Sequence, residues 1–242
     1  KMKEFNEQVI KLINLVEEAE NNKIKLAASI LYNSFVEDGV VHVFATGHSH
    51  MFAEEMFYRS GGLVNVDPVL VPALMQHEGA IRSTKLERLS GLAKVIFDAV
   101  DKKDGEPFII VSNSGINSVP VEMAQQAKEN NHPVIVVTSL EASSKSKTRT
   151  IDGKKLYQCA DVVIDNHVPI GDGVLEIDNN LTGAVSSIIG SYIAQSIVLE
   201  VINLYKEHHQ EPPIYKSANT PGGDEHNKKL YEHYKSRIKS LY

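Results

Sequence analysis

A short polar loop between a predicted strand and a predicted helix is the stretch of this chain best suited to bind an anion. Residues 108–111 (FIIV) are an unbroken apolar run, which predicts a strand buried on both faces. Residues 112–115 (SNSG) follow, and a helical pattern then begins at Asn117 or Ser118 with Pro120 in its first turn. Free N–H groups and the positive end of the helix dipole would face this loop, so the pattern predicts an anion site.

Taken alone, this loop has a second interpretation, because Ser, Asn and Gly also suit an ordinary strand-to-helix turn. The glycine is not followed by Lys-Ser or Lys-Thr, so the pattern does not predict a nucleotide P-loop. A second loop of the same kind favours a ligand site. Residues 40–45 (VVHVFA) are another buried-strand pattern, and residues 46–50 (TGHSH) separate them from a helical pattern.

The strands that must position these loops alternate with helical patterns along the chain. Strand patterns occupy residues 40–45, 63–71, 108–111, 134–137 and 162–165. Pro68 makes the second of these an edge strand or divides it into two pieces. The alternation predicts an α/β fold in which a five-stranded parallel sheet carries helices on both faces. Ligands of such sheets bind outside the carboxyl ends of the strands, so we expect four loops to converge there: residues 47–50, 112–117, 138–139 and 181–183.

We expect one domain over residues 1–242. Residues 39–206 would form the α/β core, preceded in residues 1–38 by two amphipathic helices that separate at residues 21–22. The apolar stripe of these helices would pack either on a sister subunit or on its own domain. Residues 207–242 would form a tail whose last helical stretch is so polar that it needs a partner surface or frays.

Composition excludes several classes of protein. The chain has 242 residues, of which 42% are apolar and 23% charged, as is typical of a globular protein. The net charge of −6 argues against a nucleic-acid surface, which needs a basic face. Cys159 is the one cysteine, which excludes an internal disulfide and suits a reducing compartment. No apolar run approaches the roughly 20 residues of a membrane span and no secretion signal is visible, so we expect a cytoplasmic protein without a membrane partner.

Several of these motifs together resemble the sugar isomerase (SIS) domain over about residues 38–206. They are ATGHS (45–49), SNSGINS (112–118), the strand that ends in Thr138-Ser139, and NNLTGAVSS (179–187). Individual features are similar to phosphoheptose isomerases and to N-acetylmuramic acid 6-phosphate etherases. The resemblance implies a flavodoxin-like sheet, a carbohydrate-metabolism role, a sugar-phosphate ligand and a homo-oligomer, either a dimer or a tetramer.

The resemblance also implies which residues bind the ligand. Ser112, Asn113, Ser114 and Asn117 would hold the phosphate. Gly47, His48 and Ser49 would lie beside the sugar. Thr182 would close the site, and Thr138 and Ser139 would join it because their strand ends at the same edge of the sheet.

The resemblance does not extend to the catalytic residue of those enzymes. Those enzymes carry a glutamate about three turns into the helix after the first loop, and the matching position here is Arg59. Glu78 and Glu176 remain as loop carboxylates that could supply an acid or base. We favour Glu78, because His77 is adjacent to it. A solvated loop carboxylate is the alternative for both, and is the interpretation we favour for Glu176.

His48 and His50 lie two residues apart, with Glu54 and Glu55 one helical turn later, but this is no recognised zinc spacing. We therefore expect no metal and no cofactor. The sequence predicts a phosphosugar-binding protein that acts as an aldose–ketose isomerase. The alternatives are a non-catalytic phosphosugar sensor or regulatory protein, and an etherase or lyase that acts on an amino-sugar phosphate.

Overall fold

A five-stranded parallel sheet forms the centre of the computed structural model, which describes residues 1–242. Its strands are β1 (Val41–Ala45), β2 (Val66–Val69), β3 (Phe108–Val111), β4 (Val134–Thr138) and β5 (Val162–Asp165). They lie in the order β2-β1-β3-β4-β5, and all four neighbouring pairs are parallel. The predicted α/β class is confirmed. β2 lies at one edge, where the sheet tolerates Pro68, as the sequence predicted.

Eight helices accompany the sheet. They are α1 (Met2–Val36), α2 (Met51–Met56), α3 (Ala80–Leu86), α4 (Leu92–Ala99), α5 (Ser118–Glu129), α6 (Leu140–Lys145), α7 (Ser186–Glu207) and α8 (Gly223–Tyr234). Side chains of α1, α2 and α7 form one core cluster with alternate residues of the strands, and α4 and α5 form another with the remaining ones. Successive strand residues point to opposite faces, so each continuous apolar strand serves both clusters.

The prediction of two N-terminal helices was wrong, because α1 is one continuous helix of 35 residues. Asn21 and Asn22 do not break it, since an asparagine inside a helix costs only about 0.7 kcal/mol or less. The buried stripe also runs through this region without interruption, from Val16 through Glu20 to Ile24. It packs mainly on α7 and β5 of the same chain.

Short helices and 3-10 turns lie in several connections between the strands. Helices α3 and α4 are separated by a turn that ends at Gly91, with φ +86°. Residues 140–145 form α6, whose first turn is capped by the Ser139 hydroxyl accepting from Ala142 N at 3.1 Å. Short 3-10 turns cover Pro72–Leu74 and Gln76–Glu78.

An antiparallel hairpin, β6 (Gly173–Ile177) and β7 (Asn180–Ala184), lies between β5 and α7, where the sequence predicted no strand. Its two-residue turn consists of Asp178 and Asn179, which have φ of +50° and +62°. Both residue types tolerate this left-handed conformation, and a two-residue turn of this kind matches the twist of paired strands. Helix α7 begins at Ser186, shortly after the end of β7.

Helix α7 has the length and the composition of a helix that could cross a membrane. A core helix passes the same test, and α7 packs against α1 and α2.

The C-terminal tail packs on its own chain. Helix α8 and the residues after it form a small apolar cluster with the start of β1, consisting of Val40, Val64, Tyr215, Tyr234 and Ile238. Arg237 follows α8 and donates two parallel hydrogen bonds to Glu106, at 2.7 and 2.8 Å. The polar helix thus finds the partner surface that its composition required.

Candidate functional site

A crevice forms where the connections of the sheet change direction. β1 and β3 are neighbours, but α2, which follows β1, packs in one core cluster and α5, which follows β3, packs in the other. The loops at the carboxyl ends of two such strands separate, and ligands of open α/β sheets bind between them. Here these loops are residues 46–50 and 112–117, the two that the sequence singled out.

The loop after β3 presents unpaired backbone donors. The N–H groups of Asn113, Ser114, Ile116 and Asn117 donate to no other group of the chain. The loop keeps its shape through Gly115, whose N–H donates to Ser112 Oγ at 3.2 Å. Free N–H groups at the start of a 12-residue helix, together with the positive end of its dipole, are the donors that an anion site requires.

Only a glycine fits at position 115. Its φ is +61°, a left-handed conformation that side chains disfavour. A Cβ atom there would lie 2.8 Å from Thr138 Oγ1 and 3.0 Å from Ser143 Oγ. The carboxyl end of β4 and the start of α6 therefore support the loop from beneath.

Some side chains of the loop already make hydrogen bonds within the chain, and others do not. The Asn113 carboxamide oxygen accepts from Asn166 Nδ2 at 2.9 Å, and that of Asn117 accepts from Arg149 Nη1 at 2.8 Å. Ser112 is buried and accepts the bond from Gly115. Ser114 is half-buried and its hydroxyl has no partner in the chain. Ser114 is therefore the loop hydroxyl most available to a ligand.

The loop after β1 forms the opposite wall. Gly47 begins a 3-10 turn at φ +59°, and His48 Nδ1 lies 3.0 Å from Gln76 Nε2. A cavity of about 20 Å³, the size of one water molecule, lies between this turn, the ends of β3 and β4, and α7. It is lined by His48, Ser49, Met51, Phe52, Val111, Asn113, Val137, Asn166, Ser186, Ser187 and Gly190.

Thr138, Ser139 and Thr182 are placed differently from the other predicted ligands. Thr138 and Ser139 are fully buried, and their hydroxyls donate to the carbonyls of Asn113 and Val168 at 3.3 and 2.7 Å. They lie beneath the loop and hold it in place. Thr182 is exposed on β7, and the serines at the start of α7 line the cavity in its stead.

The predicted acid–base pair lies outside this cavity. His77 and Glu78 are exposed, and Glu78 Oε2 lies 3.4 Å from Arg82 Nη2. Glu176 is exposed on β6. Arg59 follows the end of α2, and its Nε lies 3.1 Å from Glu55 Oε1.

Sequence reasoning missed two charged groups at the crevice. Glu87 lies in the turn between α3 and α4, and its Oε2 accepts a hydrogen bond of 2.8 Å from Thr46 Oγ1 at the end of β1. Burial raises the pKa of the Glu87 carboxyl, against the hydrogen bond from Thr46 and the charges of Arg88 and Arg149. Arg149 itself contacts Asn117. Glu87 and Arg149 both lie in segments whose polar composition is typical of solvated surface, and no local sequence signal distinguishes them.

The two histidines of the first loop do not converge. His48 faces Gln76, whereas His50 contacts the Gly47 carbonyl and its Nε2 lies 3.6 Å from Glu54 Oε2. No group of three or more His, Cys, Asp or Glu side chains in the chain is placed to hold a metal ion.

Comparison with known proteins agrees with this architecture. The family model of the SIS domain matches residues 4–139. A phosphoheptose isomerase from Francisella tularensis superposes with a TM-score of 0.55 at 13% identity, over 84% of this chain and 97% of that one. A putative phosphosugar isomerase from Silicibacter pomeroyi superposes with a TM-score of 0.52 at 14% identity, over 83% of this chain and 50% of that one. These two likenesses show a shared fold.

The chain belongs to the SIS domain family. Its full-length relatives are UPF0309 proteins. That of Caldanaerobacter subterraneus subsp. tengcongensis is 41% identical over 242 residues, with 98% of each chain covered. That of Geobacillus thermodenitrificans is 39% identical over 240 residues, with 98% of this chain and 96% of the relative covered.

Proposed function

We propose that the protein binds a sugar phosphate in the crevice between β1 and β3 and interconverts its aldose and ketose forms. The observation that carries this proposal is the set of four unpaired backbone N–H groups in the loop before α5. Two chains of the same fold are named phosphoheptose isomerase and putative phosphosugar isomerase. Those names motivate the choice of ligand, and the loop supports it through its donors.

The phosphate would lie against the loop at residues 112–117. The four N–H groups and the Ser114 hydroxyl would donate to its oxygens, and Arg149 would approach from the side of Asn117. Ser112, Asn113 and Asn117 would support this arrangement through the bonds they already make. Such a site needs no lysine, since the helix N-terminus supplies the positive potential.

The sugar would extend toward the loop after β1. Gly47 keeps the backbone open there, and His48 and Ser49 are the residues of this loop that line the cavity. Thr138 and Ser139 would act through the loop that they support. Thr182 stays a prediction, which requires the hairpin β6–β7 to fold over the crevice.

A non-catalytic phosphosugar sensor is the second candidate. The specific observation in its favour is that Arg59 occupies the position of the expected glutamate, while Glu78 is exposed and close to Arg82. The phosphate site would be the same in both functions, so binding alone does not separate them. Proton exchange at the sugar carbons does.

The test has two stages. Thermal unfolding is first measured with aldose, ketose and amino-sugar phosphates and with the matching free sugars. A phosphosugar at about 100 times its Kd should add about 2.7 kcal/mol to the free energy of unfolding, and a free sugar little. Phosphosugars that bind are then incubated with the protein in D2O, where an isomerase labels C1 or C2. Equal stabilisation by free and phosphorylated sugars would contradict the binding site, and binding without label would favour the sensor.

A further inference from the structure

Glu87 connects the two walls of the crevice. Its carboxylate accepts from Thr46 Oγ1, on the first residue after β1. Its backbone carbonyl accepts from Val119 N at 3.0 Å, in the first turn of α5. One residue is thus fixed both to the loop that would face the sugar and to the helix that would face the phosphate.

The two carboxylate oxygens of Glu87 differ. Oε2 accepts a hydrogen bond from Thr46 Oγ1. Oε1 accepts no hydrogen bond and is not fully buried, so it remains accessible. No Lys, Arg or His forms a salt bridge with the carboxylate, although Arg88 and Arg149 lie near enough to influence its charge. Glu78 contrasts with it, because that side chain is 48% exposed and paired with Arg82.

A base for this chemistry must be positioned and must not be fully stabilised as an anion. The hydrogen bond from Thr46 holds the Glu87 carboxylate in position. Partial burial disfavours its anionic form and so raises the pKa of Glu87 toward the working pH. Among the carboxylates of the chain near the crevice, Glu54 and Glu55 are paired with His50 and Arg59. Glu87 is held instead by a neutral hydroxyl, that of Thr46 directly after β1, and keeps Oε1 free.

We propose that Glu87 transfers the proton between C1 and C2 of the sugar phosphate, an inference that rests on the proposed function. Oε1 of Glu87 takes the proton from C2 of the aldose. The electron pair of that C–H bond forms the C1–C2 double bond, the carbonyl π pair moves to O1, and water protonates O1. The resulting enediol then receives the proton from Glu87 at C1 and loses the O2 proton to water, which gives the ketose. Electrons and atoms balance without an added oxidant or reductant.

The experiment compares Glu87→Gln with Glu129→Gln, a matched charge loss at the far end of α5. Binding of a phosphosugar is measured by calorimetry, and exchange of the C1 or C2 hydrogen is measured in D2O. Glu87→Gln should bind within a fewfold of the native protein but exchange at least about 100-fold more slowly, since loss of a general base costs about 10²–10⁴ in rate. Glu129→Gln should match the native protein in both measurements. Unfolding curves show whether the Glu87→Gln variant is folded.

A third variant separates catalysis from support of the fold. Thr46→Val removes the hydrogen bond that lowers the pKa of Glu87, so the acid limb of the exchange rate against pH should move to higher pH. Native-like exchange in Glu87→Gln would overturn the assignment while leaving the proposed function intact. Loss of exchange in Glu78→Gln but not in Glu87→Gln would move the base to Glu78. A native protein that binds phosphosugars without any exchange would overturn both the assignment and the isomerase function.

Discussion

Arg149 Nη1 donates a hydrogen bond of 2.8 Å to Asn117 Oδ1, and this contact brings a guanidinium to the N-terminus of α5. The contact is not isolated, because Arg149 N donates to the Ile116 carbonyl at 2.9 Å and Ser118 Oγ donates to the Arg149 carbonyl at 3.2 Å. The segment after α6 is therefore attached to the loop that would hold the phosphate. It places at the crevice a cation that the loop residues themselves do not provide.

Arg149→Gln should weaken phosphosugar binding about 10- to 150-fold, the equivalent of one charged hydrogen bond of about 1.5–3 kcal/mol. Binding should also become less sensitive to salt, because one charge that attracts the phosphate is lost. Calorimetry at two salt concentrations measures both effects. Lys147→Gln, an exposed charge in the same segment, is the control and should change neither.

Ser114→Asp should abolish phosphosugar binding, because a carboxylate would stand where the phosphate oxygens are expected and would repel them. The free energy of unfolding should change little, since the Ser114 hydroxyl has no partner to lose. Ser144→Asp on the exposed face of α6 adds the same charge away from the loop and should leave binding unchanged. Phosphosugar binding of native strength by the Ser114→Asp variant would exclude this loop as the phosphate site.

Gly115→Ala should destabilise the protein more than Gly105→Ala. Both glycines have a positive φ, +61° and +79°, so both substitutions carry the same backbone cost of about 1–2 kcal/mol. At position 105 a Cβ meets nothing within 4 Å, whereas at 115 it meets the Thr138 hydroxyl at 2.8 Å. The difference between the two variants in urea unfolding measures the cost of the contact with Thr138. Equal losses would mean that the loop is free to shift away from β4.

The ion pair of Arg237 with Glu106 predicts a pH dependence of stability. Burial alone would raise the pKa of Glu106, but hydrogen bonds from Arg237, His42 and two backbone N–H groups hold its pKa far below the ordinary 4.5. Folding is therefore stabilised above pH 4.5, and this contribution is lost as the pH falls.

His42 gives the opposite dependence. Burial alone would lower the pKa of His42, but Asp67 and Glu106 raise it above 6.5. The contribution of His42 to stability is therefore complete below pH 6.5 and declines as the pH rises. Stability should be greatest between these values.

Arg237→Gln tests this network directly. Removing one partner of a buried ion pair costs about 3–5 kcal/mol, because the other charge is left buried without compensation. The Arg237 side chain is only 14% exposed and that of Glu106 3%. Glu106 keeps its hydrogen bonds with His42 and two backbone N–H groups, so we expect a loss near the lower end of this range. The acid limb of the stability profile should also flatten, since Glu106 loses the donor that lowers its pKa. Lys239→Gln, an exposed cation of the same tail, is the control.

Self-association is expected from the outer face of α1. Ile10, Leu15 and Leu26 are exposed there, and Leu199 is exposed on α7. Sedimentation should show a dimer or larger species at micromolar concentration, and Leu26→Glu should weaken it. A folded monomer at that concentration would contradict this prediction.

Much of the fold was readable from the sequence because β1, β3 and β4 are short, largely apolar and end at small polar residues. Pro68 indicated the edge strand. Helix α5, which follows the loop at residues 112–117, begins at Ser118 as the pattern indicated. The hairpin β6–β7 escaped because its turn is Asp178-Asn179 and not the Asn-Gly or Asp-Gly that signals such turns. The long α1 escaped for a different reason. Two adjacent asparagines look like a break, but burial of the stripe outweighs their weak preference.

The candidate site was only half predictable. Ser112–Asn117 could be recognised because backbone geometry at a strand–helix junction depends on local sequence. Glu87 could not, because its position depends on contacts with Thr46 and Val119, which lie 41 and 32 residues away along the chain. Tertiary contacts alone distinguish it from the other glutamates of that surface.

The packing of α1 bears on how this chain is made. At about 1.5 Å per residue its 35 residues extend about 52 Å, and its partners are β5, β6 and α7. Helix α1, which ends at Val36, therefore leaves the ribosome well before α7, which begins at Ser186, and at about 5–20 residues per second this wait is roughly ten to thirty seconds. During that time its apolar stripe is uncovered, so nascent chains should depend on chaperones until α7 has emerged.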